Sequence, residues 1–320
     1  MPVSTEVLRR IVRKQWPALF LLMLMGGIST LLGYELYGRW RYAAFVSKNT
    51  GCDDLKSFVL KDGRRLSYRE SGDPGGRPVF YFHGAVGSSV EWPSQEKHGL
   101  RLIGLDRPGY GCSTPQPMRS FEGWSRDVAE VADQLGWKTF RLIGFSAGAP
   151  HALAVAALLP ERVERVLLVG AVKTAPFARA RLLAPGISYE LFSGLRDSWS
   201  RDPDGFEAQA SRDLPACDLE VYRRPEILSR FKATHARALR GSVSGVYEDL
   251  RLLGKPWSFD AATVRVPVEI WHGDQDRVAP LAAAQDLSSS IRHPHFRVLR
   301  GEGHFLLYNH EQELLDDVSK

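Results

Sequence analysis

Cysteine is scarce: Cys52, Cys112 and Cys217 are the only three in 320 residues. They are too few and too scattered for a disulfide framework or a repeated metal-ligand spacing, so they leave the redox compartment open. With no His or cation adjoining it in the chain, Cys112 reads as a small buried or loop thiol. Charge of one sign is also scarce. The 42 Lys and Arg exceed the 37 Asp and Glu by 5, and four of the cations, Arg9, Arg10, Arg13 and Lys14, crowd the start of the chain. The remainder lacks the basic stripe of a nucleic-acid-binding protein. No internal repeat or low-complexity tract occurs, which leaves an ordinary globular chain, long enough for one large domain or two modest ones.

One stretch lacks charge altogether. Trp16 to Tyr34 reads WPALFLLMLMGGISTLLGY, close to the roughly 20 residues that cross a bilayer as a helix. Trp16 and Tyr34 fall at its ends, where amphipathic rings favour the headgroup region. The chain therefore begins as a basic tail (1–15), a single-pass membrane anchor (16–36) and a linker (37–54). Arg39, Arg41 and Lys48 nearly balance the four cations before the span, so the charge rule leans only slightly toward a cytoplasmic N-terminus. A cleavable signal peptide, with secretion after it, and an ordinary buried helix are the competing readings. The apolar run continues past a cleavage site near Gly27 or Ser29 through Leu31 and Leu32, which favours the anchor.

Beyond the linker, Leu55–Leu60 and Arg65–Glu70 alternate apolar and polar side chains around Lys61-Asp62-Gly63-Arg64, the pattern of a β-hairpin. Val79–Phe82, Leu102–Leu105, Phe140–Phe145, Val163–Val169, Val266–Trp271 and Phe296–Leu299 are short apolar-rich runs separated by helix-length segments. Strands buried on both faces and joined by helices imply a largely parallel sheet, an α/β fold. Ser120 is placed to cap a helix over Phe121–Leu135, and Ala147–Leu159 is so apolar that it reads as a buried helix. The α/β core divides into 55–172 and 263–320 around an insertion over 173–262, longer than any ordinary loop. Arg, Glu, Ala and Leu dominate it, broken by Pro185, Pro203, Pro215 and Pro225, which predicts several short helices.

Gly144-Phe145-Ser146-Ala147-Gly148 follows an apolar strand and opens an apolar helix, the context in which G-x-S-x-G forms a nucleophile elbow. So sharp a turn strains the serine backbone, and a Cβ two residues before or after would crowd it. A serine hydroxyl needs a base, and the base needs an orienting group. Open α/β sheets build such sites from loops at the carboxyl ends of their strands. His304, after the last predicted strand, is placed to be the base, and Asp276, after Val266–Trp271, to be the acid. Asp274 is the rival acid, and His83 and His272 are rival bases near strand ends.

Taken together, His83-Gly84, Asp106-Arg107-Pro108-Gly109-Tyr110-Gly111, the elbow, Gly273-Asp274-Gln275-Asp276-Arg277-Val278-Ala279-Pro280 and Gly303-His304 resemble the α/β-hydrolase superfamily from about Leu55 to Lys320. The likeness is to its lid-bearing branch of small esterases, monoacylglycerol lipase-like enzymes and carbon–carbon bond hydrolases. The resemblance implies a serine nucleophile at 146, Asp276 as acid, structural roles for Asp106, Arg107, His83 and His272, and oxyanion donors in the N–H groups of Ala85 and Ala147. It also makes the insertion a lid, for which Phe177, Tyr189, Phe192, Trp199, Phe206, Tyr222, Phe231, Tyr247 and Trp257 furnish aromatic surface. Two departures stand out: Ala149-Pro150 after the elbow, with the proline tolerable in a first helical turn, and Ala85-Val86 where relatives carry a glycine or an aromatic. The expected activity is cleavage of an apolar carboxylic ester through an acyl-enzyme, with no metal or organic cofactor. Carbon–carbon bond, thioester or amide hydrolysis, and a non-enzymatic ligand-binding protein on the same fold, are the alternatives. The oligomeric state is not indicated.

Overall fold

The computed structural model describes residues 25–41, 43, 56–92, 99–174, 185–240 and 243–320. An eight-stranded sheet organises them, with strands β1 (Ser57–Val59), β2 (Arg65–Gly72), β3 (Arg77–Phe82), β4 (Leu100–Leu105), β5 (Phe140–Phe145), β6 (Val163–Val169), β7 (Val268–Gly273) and β8 (His295–Leu299). Their spatial order is β1-β2-β4-β3-β5-β6-β7-β8. β1 and β2 pair antiparallel as the expected hairpin, β2 pairs antiparallel with β4, and the pairings from β4 through β8 are parallel.

The two-residue period of each central strand builds two separate cores. Phe80 and Phe82 of β3, Leu142 of β5, and Val166 and Leu168 of β6 enter one cluster. They pack there with Trp124 and Val128 of α2 (Phe121–Gln134) and Leu153 of α3 (Ala149–Leu158). The alternate residues Val79, Tyr81, Ile143, Phe145, Leu167 and Val169 enter the opposite cluster with Leu306, Leu314 and Val318. Burial on both faces is the reason these strands read as apolar-rich runs rather than as a strict apolar–polar alternation. Ser120 caps α2 as its sequence implied, its hydroxyl accepting the Gly123 N–H at 3.1 Å. Pro150 lies in the first turn of α3, where no N–H partner is lost.

The insertion is helical: α4 (Pro185–Arg201), α5 (Pro203–Ala210), α6 (Ala216–Tyr222), α7 (Pro225–Ala238) and α8 (Ser244–Leu253). Prolines open α4, α5 and α7, and Pro215 immediately precedes α6. Tyr189, Phe192, Val246, Tyr247 and Leu250 make a small core of their own that includes Tyr110 and Ala147 of the α/β body. Tyr222 stacks on Phe231 with ring centroids 4.4 Å apart, and Phe231 meets Phe305 edge-on at 4.8 Å. Trp257 packs instead against Phe121 and Phe259, outside the helical cluster. Phe177 lies outside the described residues.

The cysteines depart from the sequence reading. Cys112 is disulfide-bonded, and among the described residues Cys217 is a free thiol. The apolar span expected over 16–36 falls partly outside the described residues, since 16–24 are not among them. The rest of it lies in α1 (25–41), where Met25, Ile28, Leu32, Leu36 and Trp40 recur at helical spacing and are all exposed. Among the described residues no helix is long and apolar enough to cross a membrane. On its other side α1 meets α4: the Ile187 N–H donates to Glu35 Oε2 at 2.9 Å and Arg41 Nη1 to Glu190 Oε2 at 2.7 Å. A Cβ on Gly186 would lie 1.9 Å from the Glu35 carbonyl oxygen, so only glycine permits this approach.

Candidate active site

Ser146 follows β5 directly and begins a single 3₁₀ turn, Ser146–Gly148, before α3. Its φ is +50°, in the left-handed region that costs a non-glycine residue about 1–3 kcal/mol. Such strain persists where the surroundings leave no alternative, and the flanking glycines show why. A Cβ on Gly144 would lie 2.8 Å from Ala149 Cα, and one on Gly148 only 2.1 Å from the Phe82 carbonyl oxygen. The tight turn between β5 and α3 thus rests against the end of β3 and turns the serine out of the sheet.

His304 opens a second 3₁₀ turn, His304–Tyr308, beyond β8. Its Nδ1 lies 2.8 Å from Asp276 Oδ2, in the loop after β7. The other Asp276 oxygen accepts the N–H groups of Val278 and Ala279 at 2.9 and 2.7 Å, which fixes the carboxylate. These two loops are laced together. Asp274 N–H donates to the Leu299 carbonyl, Gln275 N–H to that of Glu302, and a Cβ on Gly273 would meet Glu302 O at 2.1 Å. The His304 ring lies 5.1 Å from that of Phe145, the residue before Ser146, and a Cβ on Gly170 at the end of β6 would come 3.2 Å from its Nδ1. His304 and Ser146 therefore converge on the carboxyl ends of β5 and β6, both buried. No hydrogen bond joins the Ser146 hydroxyl to His304 among the described residues. Nucleophile–base contacts are commonly loose in the free enzyme and tighten around substrate.

Burial alone would depress the His304 pKa, but the charge and hydrogen bond of Asp276 carry it above the ordinary imidazole value. Burial would raise Asp276, yet the His304 charge, the His304 hydrogen bond and the Ala279 N–H bring it below the usual carboxylate value. A carboxylate that stays ionised beside an imidazole primed to accept a proton is what general-base chemistry needs.

A family model described as alpha/beta hydrolase fold matches residues 77–311. The chain is an α/β-hydrolase. Its relatives include a non-heme chloroperoxidase of Streptomyces lividans, 27% identical over 82% of this chain and 98% of the relative. A 2-hydroxymuconate semialdehyde hydrolase of Pseudomonas putida is 25% identical over 79% of this chain and 89% of its own. The solved esterase from Exiguobacterium antarcticum shares the fold, with a TM-score of 0.60, 22% identity, and 82% and 97% of the two chains covered.

Within this α/β-hydrolase the rival residues are occupied elsewhere. Asp274 accepts the Gly301 N–H at 2.8 Å and bonds no histidine. His272 Nε2 lies 2.7 Å from the Ala279 carbonyl oxygen and 3.4 Å from Asp276 Oδ2, a support for the acid loop. His83 is buried against Tyr110, and burial followed by the Arg107 charge holds it well below the ordinary value. Asp106 anchors its loop by accepting the Ser89 N–H at 2.6 Å, the Ser67 hydroxyl at 2.7 Å and Arg237 Nε at 2.7 Å. Ala147 lies within the 3₁₀ turn and Ala85 is exposed between Gly84 and Val86, the latter at φ +55°.

Three acidic residues near the site carry no motif. Asp218 of α6 accepts the backbone N–H groups of His304 and Phe305 at 2.9 and 2.8 Å. Asp249 of α8 pairs with Arg107. Glu91 accepts the Gly84 N–H at 2.8 Å and the Tyr81 hydroxyl at 2.7 Å. Two of them come from the insertion, whose sequence showed helices and aromatic content but no chemistry.

Proposed function

We propose that the protein is a membrane-attached serine hydrolase that cleaves carboxylic esters with an apolar acyl or alcohol group. One observation carries the reading: a serine held at positive φ on a strand-to-helix elbow, with a buried His304–Asp276 pair over the same strand ends. In this reading Ser146 attacks the ester carbonyl while His304 takes its proton. Asp276 stabilises the imidazolium, and His304 returns the proton to the departing alcohol. The backbone N–H groups of Ala85 and Ala147 receive the oxyanion, the second aided by the N-terminal end of the elbow turn and α3. Water then releases the acid by the same base.

The insertion acts as a lid, and the apolar preference follows from it. Its cluster of Tyr189, Phe192, Val246 and Tyr247 reaches Ala147, beside the nucleophile, with Val86 and Val172 packed on it. Membrane attachment is supported by the uncharged run from Trp16 to Tyr34 and by the uncovered apolar face of α1. Carbon–carbon bond cleavage by the same residues is the second reading, favoured by the likeness to the Pseudomonas putida hydrolase.

The test is labelling of the purified full chain with a fluorophosphonate, and turnover of p-nitrophenyl esters of increasing chain length. Ser146→Ala should abolish both and leave the fold intact. Undiminished turnover in that variant refutes the mechanism. Turnover of a vinylogous 1,5-diketone with no ester cleaved would select the second reading.

A further inference from the structure

The loop after β3 is gripped from two sides. Glu91, buried, takes the Gly84 N–H, so that donor is committed to the protein. Arg107, fully buried, donates from Nη1 to the His83 carbonyl at 2.6 Å and from Nη2 to the Gly84 carbonyl at 3.1 Å. The Gly84 oxygen also accepts the Gly87 N–H at 3.3 Å and lies 2.8 Å from His83 Nδ1. This oxygen belongs to the same planar trans peptide as the Ala85 N–H, and in such a unit C=O and N–H point in opposite directions. Whatever fixes the Gly84 carbonyl therefore aims the Ala85 N–H the other way.

Arg107 is held in turn by Asp249. Nη2 meets Asp249 Oδ2 at 2.6 Å, and Nε meets Oδ2 and Oδ1 at 3.1 and 3.3 Å. Tyr110 donates to Oδ2 at 2.7 Å, and Arg119 donates to Oδ1. Neither the Arg107 nor the Asp249 side chain is exposed, so each charge depends on the other. Asp249 is 142 residues from Arg107 and arrives on α8, in the insertion.

We propose that Asp249 is a positioning residue of the oxyanion hole. By fixing Arg107 on the Gly84 carbonyl, it directs the Ala85 N–H toward the oxygen that becomes negative during ester cleavage. The inference rests on the serine-hydrolase reading above and adds that the insertion sets the electrostatics of the reaction, not only access to it. A preorganised donor lowers the barrier because it need not reorient as charge develops. Loss of its aim should appear in kcat and leave KM nearly unchanged.

Asp249→Asn and the charge-balanced pair Arg107→Met with Asp249→Asn, made in the full chain, test this. The pair removes one buried charge of each sign, and it carries the test if the single replacement unfolds. With sites counted by fluorophosphonate titration, kcat per site on p-nitrophenyl butyrate should fall about 10- to 100-fold with KM within about 3-fold. Amide exchange of the segment 82–90 should quicken while that of α2 does not change. A folded pair variant with unchanged kcat per site and unchanged exchange overturns the proposal. If the parent protein neither labels nor hydrolyses esters, the functional reading fails separately, and the exchange measurement still decides whether Asp249 and Arg107 hold the loop.

Discussion

The carboxylate of Asp218 accepts the backbone N–H of His304 at 2.9 Å, so the proposed base is held through its main chain by a helix of the insertion. The contact depends on Gly303, where a Cβ would lie 2.3 Å from the Asp218 carboxylate. Asp218 also accepts the Phe305 N–H, serving the first two N–H groups of the 3₁₀ turn as a capping carboxylate serves a helix. Burial raises its pKa, opposed by those two N–H donors and by His304.

Replacing Asp218 by Ala should strand both N–H groups, at a cost of about 1–3 kcal/mol for each buried donor left unpaired. Thermal unfolding should move down, and ester turnover per folded molecule should fall because His304 loses its anchor. Asp218→Asn keeps an acceptor and should lose less on both counts. Equal melting temperatures and equal turnover in all three proteins would remove the role assigned to Asp218.

The His304–Asp276 pair fixes the pH dependence. The proposed mechanism needs neutral His304, whose pKa the Asp276 charge raises, so kcat/KM should climb with pH through a value above that of an ordinary imidazole. In Asp276→Asn the carboxylate that raises it is gone while burial remains. The acid limb should therefore move to lower pH as the rate drops, by about 10⁴-fold if the tautomer is lost as in other triads. For stability the signs oppose. The raised His304 pKa contributes below the unfolded histidine value and is lost as pH rises through the folded one. The lowered Asp276 pKa contributes above the unfolded carboxylate value and is lost as pH falls through the folded one. A pH–rate profile of the two proteins decides the matter, and an unmoved acid limb would detach Asp276 from His304.

Gly148 offers a test of the elbow that needs no substrate. An added methyl would meet the Phe82 carbonyl oxygen at 2.1 Å, and its nearest neighbours are all backbone atoms of Phe82 and His83, with no flexible side chain to yield. Gly148→Ala should destabilise the protein by several kcal/mol, at or beyond the about 4–5 kcal/mol rarely exceeded by single substitutions. Gly63→Ala, at φ +85° with open space around it, should cost only the backbone strain of a left-handed alanine. Chemical denaturation of both ranks them; the reverse order would contradict the packing around the elbow.

Membrane attachment makes a separate prediction. The full chain should float with lipid vesicles and resist alkaline carbonate extraction, as an uncharged apolar run of this length implies. Complete release by carbonate would leave α1 as a surface helix and the anchor unsupported.

The tight turn at Ser146 and the pairing of His304 with Asp276 were readable from sequence because their signals are local: glycines at fixed offsets around Ser146, and a loop of known type after each of two strands. Strand positions were readable to within two residues because burial on both faces makes Phe140–Phe145 and Val163–Val169 short apolar-rich runs. Other features escaped. The helix expected from Ala147 starts at Ala149, since Ser146–Gly148 makes a 3₁₀ turn that periodicity cannot register. Arg107 read as structural, but its partner Asp249 is 142 residues away, and Asp218 lies 86 residues from the His304 N–H it accepts. Neither carboxylate is marked by its neighbours, because tertiary contact alone gives it a role. Cys112 reads as a lone thiol for the same reason, although it is bridged.

The insertion's two carboxylates bear on how such enzymes can be recombined. A chimaera that grafts a foreign cap onto this sheet would keep Ser146, His304 and Asp276 in sequence yet strand Arg107 and the His304 main chain, unless the donor supplied acids equivalent to Asp218 and Asp249. The helical insertion and the loops it holds are therefore exchangeable only as a matched set.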